Sequence, residues 1–303
     1  IMDSIRNLLP ANALKHYAKP VANAVGMLAD KIIENKGKKI VLVSLARAGI
    51  PIGILVKRYI KFKYGINVPH YSISIIRGRG IDDNAMKYLL EKYRPQQILF
   101  VDGWIGKGAI LNELKKDISA YEGVSADIAV VADPANVTEL CGTHEDILIP
   151  SSCLNSTVSG LISRTFLRDD IIGRDDFHGA VYYGELTDSD LSYDFIETIE
   201  KEFNMENTPD LEKRVESQGI DEVINIGKNF GIDDINLIKP GIGETTRVLL
   251  RRIPWKVLID ERYKGNPQLE HIVRLAEEKH TPVEYYPLTH YKCCGIIKKL
   301  ADA

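Results

Sequence analysis

Short apolar segments alternate with helical patterns along the first half of the chain, and this alternation constrains the fold more than any other feature. The expected strands are Lys39–Ser44, His70–Ile76, Gln97–Asp102, Asp127–Asp133 and Asp146–Ile149. The expected helices are Ala11–Asn35, Ile52–Tyr64, Asn84–Tyr93 and Ala109–Tyr121. Strands that alternate with helices predict a parallel sheet with crossover helices. We therefore predict an α/β fold, a parallel sheet flanked by helices, with its binding crevice at the carboxyl ends of the strands.

A second, smaller α/β domain is expected at the end of the chain. With 303 residues and 45% hydrophobic content, the chain suits about two domains. We expect a first domain over 1–204, a linker with connecting helices (Leu211–Gln218, Ile220–Phe230) over 205–235, and a tail over 236–303. The tail holds 12 Lys+Arg and 8 Asp+Glu, a net +4, whereas the first 235 residues carry −7. A basic tail favours a nucleic-acid-binding appendage, and a merely solvated surface is nearly as good an explanation.

Composition argues against a membrane protein and against a disulfide scaffold. The most apolar stretch, Ile40–Val56, is too short and is broken by Arg47 and Pro51. No signal-peptide pattern is evident. Four cysteines in so long a chain do not form a disulfide framework, and their positions show no metal-ligand spacing. We expect a cytoplasmic protein with no membrane contact.

Unusual residues follow three of the predicted strands. The first strand leads into SLARAGIPIG (Ser44–Gly53), with Arg47, and the second into IIRGRGIDDN (Ile75–Asn84), with Arg77 and Arg79. The third leads into ILFVDGWIGKGAILN (Ile98–Asn112), a glycine-rich turn that holds an acid and a lysine. Such turns expose backbone N–H groups to phosphate, and guanidinium groups bind phosphate in bidentate fashion. The strand ends therefore predict a site for a polyphosphorylated sugar with a divalent metal.

Two of these loops resemble those of type I phosphoribosyltransferases. LARAGIPIG (Leu45–Gly53) resembles their pyrophosphate loop, and ILFVDGWIGKGAI (Ile98–Ile110) resembles their signature for phosphoribosyl pyrophosphate. A closer resemblance is to a small bacterial family, often found in tellurite-resistance and stress gene clusters, which joins a divergent phosphoribosyltransferase to a Pelota-type tail. The Val-Asp-Gly-Trp-x-Gly-Lys-Gly form, the segment Asp176–Phe195 and the tail carry it. Members of this family also bear the label StiP cysteine protease.

The resemblance implies an enzyme that binds phosphoribosyl pyrophosphate with Mg²⁺ and transfers the phosphoribosyl group to a base or a related acceptor. It assigns catalysis to Asp102, Arg47 and Arg77. It assigns substrate and cofactor binding to Ala48, Gly49, Asp102, Gly106, Lys107, Gly108 and Ala109. The protein alone supplies no metal site, and Asp102 is the one candidate for reaching Mg²⁺. A homodimer is a candidate assembly.

Two alternatives stay open. Gly103 replaces the second acid of the signature, which leaves room for a non-catalytic, nucleotide-sensing protein that binds RNA. A cysteine hydrolase is the other alternative, and it needs a thiolate beside a histidine. Cys153 with His144 or His178 could supply that pair, although no local signature surrounds Cys153 or Cys141.

The tail segment Lys239–Glu261 resembles the ribosomal L7Ae, L30e and Pelota group, which binds RNA through Gly-x-Asn-Glu-x-x-Lys at a helix start. Three residues match this motif, and Gly243 stands where the Asn would be. The resemblance assigns RNA binding to Gly241, Gly243, Glu244, Arg247 and Arg251. A protein-binding or dimerising module with a solvated basic face is the alternative.

Overall fold

A computed structural model of the chain describes residues 11–153, 156–210 and 215–299, with residues 11–16 and 153 described by their backbone alone. Within these ranges, no helix is both long enough and apolar enough to cross a membrane.

The first domain is built on one six-stranded sheet, which confirms the predicted α/β fold. Strand order is β3-β2-β1-β4-β5-β6, with every neighbouring pair parallel except β2 and β3. The strands are β1 (Val41–Ala46), β2 (His70–Ile76), β3 (Gly80–Ile81), β4 (Ile98–Trp104), β5 (Ile128–Ala132) and β6 (Cys141–Thr143). The helices are α1 (Ala11–Lys36), α2 (Gly49–Tyr64), α3 (Asp83–Lys92), α4 (Ala109–Ile118), α5 (Pro150–Cys153) and α6 (Ser192–Glu200).

Helices cover both faces of this sheet, because its strands are buried on both sides. On one face α1 presents Val21, Val25, Leu28 and Ile32, each no more than 1% exposed, at the spacing of a single helix stripe. On the other face Met86 of α3 and Leu114 of α4 are fully buried against the strands. The carboxyl ends of the parallel strands are thereby left as the open edge where side chains can meet.

The fifth predicted strand is wrong. Asp146–Ile149 is extended but unpaired coil, and the sheet instead takes its sixth strand from Cys141–Thr143. The apolar side chains of Ile147, Leu148 and Ile149 are buried in the core shared with the tail rather than in a strand. The predicted helix Leu211–Gln218 is not seen over 215–218, and its first four residues lie outside the described ranges.

The tail folds around a second sheet of order β7-β10-β8-β9. Its strands are β7 (Ile238–Pro240), β8 (Pro254–Ile259), β9 (Val283–Tyr285) and β10 (Cys293–Ile297), and its helices are α7 (Gly219–Phe230), α8 (Ile242–Arg251) and α9 (Glu270–Glu278). The helix α7, which the sequence places in the connecting segment, packs Val223 and Ile226 against this sheet.

One continuous apolar core joins the two domains. Tail residues Ile242, Leu249 and Ile272 are fully buried in the same cluster as Val25 and Leu28 of α1. Polar contacts add to this joint: the Tyr291 hydroxyl donates to the carbonyl of Gly106 at 2.6 Å. The tail is therefore docked on the open edge of the first sheet, beside the strand ends that the sequence singled out.

We predict that Gly142→Ala destabilises the chain severely. A Cβ at this position of β6 would lie 2.0 Å from the carbonyl oxygen of Ala24 in α1. Both sides of this contact are backbone in packed elements, so the expected cost exceeds about 3 kcal/mol of unfolding free energy, measured by urea titration.

Gly173→Ala is the control, because its Cβ would meet only the flexible carboxylate of Asp176, at 3.0 Å, in an exposed loop. It should change the unfolding free energy by less than about 0.5 kcal/mol. Equal urea midpoints for the two variants would contradict the close packing of α1 on β6.

Candidate functional site

The glycine-rich turn after β4 places Asp102 in a poorly solvated position. Its carboxylate accepts the amide of Gly103 at 2.7 Å, and burial raises its pKa to about 7. Gly49 packs directly beside it, since a Cβ there would lie 2.6 Å from the carbonyl oxygen of Val101. Gly108, with φ of 90°, turns the chain into the start of α4. The turn leads from a strand into the start of a helix, and phosphate binding at this position stays a prediction.

A side chain at the position after Asp102, where a phosphoribosyl pyrophosphate signature has its second acid, would require the Ser152 hydroxyl to move. A Cβ on Gly103 would lie 2.2 Å from the Ser152 hydroxyl oxygen. The turn therefore offers a single carboxylate, whose raised pKa disfavours the charged form that a hard cation requires. These residues do not fit a magnesium site.

Lys107 and Gly106 hold the tail instead of facing open solvent. The Lys107 ammonium donates to the carbonyls of Ile235 and Ile238, at 2.9 and 3.0 Å. Burial and, after it, the charge of Lys239 lower the pKa of Lys107 to about 8. The lysine expected at a 5′-phosphate thus has two of its donors directed at the tail backbone.

Positively charged side chains of the two domains interact at the interface between them. Arg47 donates to the carbonyl of Ile162 at 2.9 Å. Burial lowers the pKa of Arg47, and the charges of Arg251, Arg164 and Arg247 lower it further. The charges of three other arginines thus act on the Arg47 guanidinium. The predicted arginine of the first domain and two predicted arginines of the tail therefore share one electrostatic environment.

The expected RNA-binding helix start is covered by the first domain. The amide of Ile242 donates to the carboxylate of Asp146 at 3.0 Å, and a Cβ on Gly241 would lie 2.5 Å from the Trp104 ring. Gly241 and Gly243 are both buried, so their contact with RNA stays a prediction. Glu244 and Arg247 are partly exposed and form an ion pair with each other at 2.6 Å.

These groups line a pocket of about 280 Å³ between the domains, here called the cationic pocket. Its lining combines predicted residues of both domains: Ala48, Arg77, Asp102, Gly106, Lys107, Gly108, Ala109, Glu244 and Arg247. Trp104 and Lys239 complete its wall. The predicted sugar-phosphate site and part of the predicted RNA-binding motif are therefore one cavity.

A second cluster lies at the ends of β5 and β6. The Cys141 sulfur lies 3.4 Å from Nε2 of His144, and Nδ1 of His144 lies 2.9 Å from the carbonyl oxygen of Asp133. Because a carbonyl only accepts, Nδ1 carries the proton, which leaves Nε2 as the ring nitrogen that can accept one. The sulfur is also 3.9 Å from Nδ1, so it lies beside the imidazole ring. The Asp133 carboxylate lies 3.8 Å from Nδ1.

Asp133 is fully buried, and only one oxygen of its carboxylate accepts hydrogen bonds from the described residues. Its Oδ2 accepts the amides of Val137 and Thr138, at 2.7 and 2.8 Å. Its Oδ1 has no hydrogen-bond partner among the described residues. Burial raises the pKa of this carboxyl group, and the amides of Thr138, Val137 and Asn136, together with the charge of His144, counteract that shift.

The cluster borders a second interdomain pocket, of about 340 Å³, here called the histidine pocket. Gly142 and His144 form part of its lining, and His144 is 23% exposed there, while Cys141 behind it is fully buried. The Lys31 ammonium donates to the Cys141 carbonyl at 2.8 Å. Asp210 fixes the strand end by accepting the Thr143 hydroxyl at 2.6 Å and the His144 amide at 2.9 Å.

Of the other residues weighed for hydrolysis, His178 has structural partners. His178 pairs with the Ser74 hydroxyl at 2.8 Å, and its amide donates to the Asp82 carboxylate, which gives it a structural role. Cys153 ends the short helix α5, and its side chain lies outside the described residues. Sequence reasoning missed the pairing of Cys141 with His144. The signal that could have found it was Cys-x-x-His at one strand end, with Asp133 directly after the neighbouring strand.

Comparison with known proteins gives two family matches. The family described as tellurite-like stress resistance cysteine protease StiP matches residues 6–200, and the PELOTA RNA binding domain matches residues 217–299. A curated relative from Acinetobacter baylyi, named cysteine protease StiP, is 32% identical over 309 residues, which cover 95% of this chain and 80% of the relative.

Solved structures give weaker likenesses. A hypoxanthine-guanine phosphoribosyltransferase from Bacillus anthracis is 18% identical, with a TM-score of 0.30, over 40% of this chain and 71% of its own. A hypothetical protein from Neisseria gonorrhoeae with bound ppGpp is 16% identical, with a TM-score of 0.27, over 37% of this chain and 65% of its own. Likenesses of this size carry no functional argument.

These findings correct the main functional expectation. The curated relative is named a cysteine protease, and the family description says the same, so phosphoribosyl transfer, with its pyrophosphate substrate and its magnesium, is wrong as the expected function. The alternative of a cysteine hydrolase is the one they favour. The homodimer stays a prediction.

We predict that Asp102→Asn removes a pH-dependent penalty on stability. The folded carboxyl has a pKa of about 7 against an ordinary value of 3.8. Below about pH 4 both states hold the proton, and stability is then lost as pH rises through 7, because the unfolded chain releases the proton first. At pH 8 the variant should be more stable than the native chain by about 4 kcal/mol, and at pH 4 the two should nearly match.

Urea unfolding at a series of pH values measures this difference. Asn keeps the acceptor for the Gly103 amide, so the comparison isolates the charge. A stability difference that does not change between pH 4 and pH 8 would contradict the buried, poorly solvated state of Asp102.

Proposed function

The chain belongs to the StiP family of tellurite-like stress resistance proteins, and from this membership we propose that it is a cysteine hydrolase of peptide bonds with Cys141 as nucleophile. The observation that carries the proposal is the 3.4 Å contact between the Cys141 sulfur and Nε2 of His144. A thiol, a base within reach and a group that orients the base are what thiol catalysis requires. Here the orienting group is the Asp133 carbonyl.

Each of these groups has a defined role in the proposed reaction. His144 Nε2 takes the thiol proton while the Cys141 sulfur attacks the peptide carbonyl carbon and forms a C–S bond. The C–N bond then breaks, and the imidazolium returns the proton to the departing amine. Water, deprotonated by the same imidazole, hydrolyses the thioester and frees the thiol. The Asp133 carboxylate, 3.8 Å from Nδ1, stabilises the imidazolium when it is ionised.

The Cys141 sulfur can react only if a substrate can reach it. Cys141 has no exposed surface, so a substrate in the histidine pocket reaches it only when the sheet edge opens. The strand β6 is three residues long and lies at the edge of the sheet, where local opening costs least. The Lys31 ammonium, bonded to the Cys141 carbonyl, supplies positive charge that favours the thiolate.

We expect Cys141→Ser and His144→Gln each to reduce hydrolysis of a fluorogenic casein substrate by at least about 100-fold, since each removes one half of the thiol–base pair. The assay is run with a metal chelator present. Urea unfolding of each variant checks that the fold is retained.

Cys153→Ala is the matched control, because it removes the other cysteine considered as a nucleophile. The proposal expects its activity to stay within about twofold of the native chain. Loss of activity in Cys153→Ala with retention in Cys141→Ser would overturn the assignment. Absence of casein hydrolysis in the native chain would overturn the proposed function itself.

RNA binding is a second candidate function, and the cationic pocket is the observation that favours it. The tail matches an RNA-binding domain family. Arg247 and Arg251 of the tail lie close enough to Arg47 to lower its pKa, and Lys239 does the same to Lys107. Repulsion between these cations destabilises the free protein, and a bound phosphate backbone relieves that repulsion. We propose that RNA binds along this joint through its phosphates.

We expect Arg247→Ala combined with Arg251→Ala to weaken binding of a structured RNA and to lower the salt dependence of log K by about 1 to 2, one unit for each phosphate that the variant no longer neutralises. Fluorescence anisotropy at several salt concentrations measures both effects.

Arg274→Ala is the control, because Arg274 lies on α9 beside Glu278, whereas Arg247 and Arg251 both act on the charge of Arg47. Its RNA affinity and salt dependence should equal those of the native chain. An equal loss in Arg274→Ala and in the double variant would show general charge attraction rather than a site at the joint.

A further inference from the structure

We infer that Asp133, Cys141 and His144 form a binding site for a thiophilic divalent transition metal, with Zn²⁺ as the ion that their donor set fits best. One ligand atom from each residue lies within 4.8 Å of the others. Sulfur, imidazole nitrogen and carboxylate oxygen are the three ligand types that zinc takes in proteins. Nothing in the family descriptions or in the relative's name assigns a metal to these residues.

The spacing of the donors is close to that of a coordination shell. Zinc bonds of about 2.3 Å to sulfur and about 2.0 Å to nitrogen put these two ligands about 3.5 Å apart in a tetrahedron. The observed distance from the Cys141 sulfur to His144 Nε2 is 3.4 Å. To bind an ion, the imidazole has to turn so that its Nε2 lone pair faces the sulfur side, and the third ligand has to close in. The Asp133 carboxylate has one oxygen that accepts no hydrogen bond from the described residues.

The groups around the ligands are arranged as those around metal sites are. A histidine that binds a metal through one nitrogen usually donates its other N–H to a carbonyl or a carboxylate. Here Nδ1 donates to the Asp133 carbonyl at 2.9 Å, which leaves the lone pair of Nε2 for a metal ion. The amides of Val137 and Thr138 hold Asp133 Oδ2 and leave Oδ1 to a further ligand.

The buried Oδ1 of Asp133, without a partner among the described residues, is the observation that a plain thiol–imidazole pair does not explain. A fully buried carboxylate oxygen without a hydrogen bond is costly, and metal coordination is one of the few ways to offset that cost. A dication would also neutralise one thiolate and one carboxylate together, so the loaded site would carry no net charge into the interior.

Three protein ligands leave one tetrahedral position, which a water or a small ligand takes in sites of this class. His144 and Gly142 line the histidine pocket, so that position faces a cavity of about 340 Å³. A bound ion would occupy the thiolate and the imidazole lone pair. The metal is therefore an inhibitor of the hydrolase, a consequence that rests on the proposed function, whereas the binding site itself does not.

Titration of the chelator-treated, reduced full chain with Co²⁺ tests the site, because a cobalt–thiolate bond gives an absorption band that other ligands do not. The native chain should bind one Co²⁺ with this band and lose it to one equivalent of Zn²⁺. Zn²⁺ should also raise the melting temperature of the native chain. Cys141→Ser should abolish the band, and His144→Gln should weaken binding by at least about tenfold.

His290→Gln is the matched control, since it removes another imidazole from the same pocket, one that is bonded to the Pro134 carbonyl at 3.1 Å. It should bind Co²⁺ as the native chain does. A native chain that shows no thiolate band at micromolar Co²⁺, or a Cys141→Ser variant that keeps the band, would overturn the site.

The two proposals fail separately. Metal binding is measured without substrate, and casein hydrolysis is measured with the metal removed. Binding without hydrolysis in the chelated chain contradicts only the hydrolase, and hydrolysis that depends on Cys141 without any metal binding contradicts only the metal site.

Discussion

The carboxylate of Asp146 is the contact on which the arrangement of the two domains depends. It lies in the coil after β6, is 2% exposed, and accepts the amides of Ile242 and Lys292, at 3.0 and 2.9 Å. Ile242 begins the helix α8, whose N-terminal amides and dipole favour an anion. Burial raises the pKa of Asp146 to about 6, and the two amides counteract that shift. One residue of the first domain thus caps a helix of the tail.

This joint creates both pockets, because each has walls from the two domains. The histidine pocket takes Tyr291 and Lys292 from the tail, and the cationic pocket takes Lys239 and Arg247. The tail therefore supplies part of the wall of both pockets. A chain with an RNA-binding tail docked beside a thiol could couple the two activities, since a ligand that shifts the tail changes the walls of both pockets.

The sequence predicts the sheet domain well where periodicity and turn residues agree. The strands His70–Ile76 and Ile98–Trp104 and the turn at Gly108 lie where the alternating pattern puts them. It fails at Asp146–Ile149, because apolar residues that face another domain look like those of a buried strand. The three-residue strand Cys141–Thr143 holds too few residues for any period to show.

The site was only partly predictable for a similar reason. The sequence shows the glycine-rich turn after β4, but it does not show that the Ser152 hydroxyl lies against Gly103 or that Lys107 binds tail carbonyls. The cluster of Asp133, Cys141 and His144 depends on strand order, because β5 and β6 must be neighbours before Asp133 and His144 can meet. No local sequence motif indicates that these two strands are neighbours in the sheet.

The central claim is that Cys141, activated by His144, is the reactive thiol among the four cysteines of the chain. The most direct test is to treat the reduced, chelated chain with a peptide vinyl sulfone and to locate the adduct by mass spectrometry. The account predicts an adduct on Cys141 that forms much more slowly in His144→Gln, with the other three cysteines unmodified. An adduct on Cys153 alone, or one on Cys141 that forms equally fast without the imidazole, would contradict it.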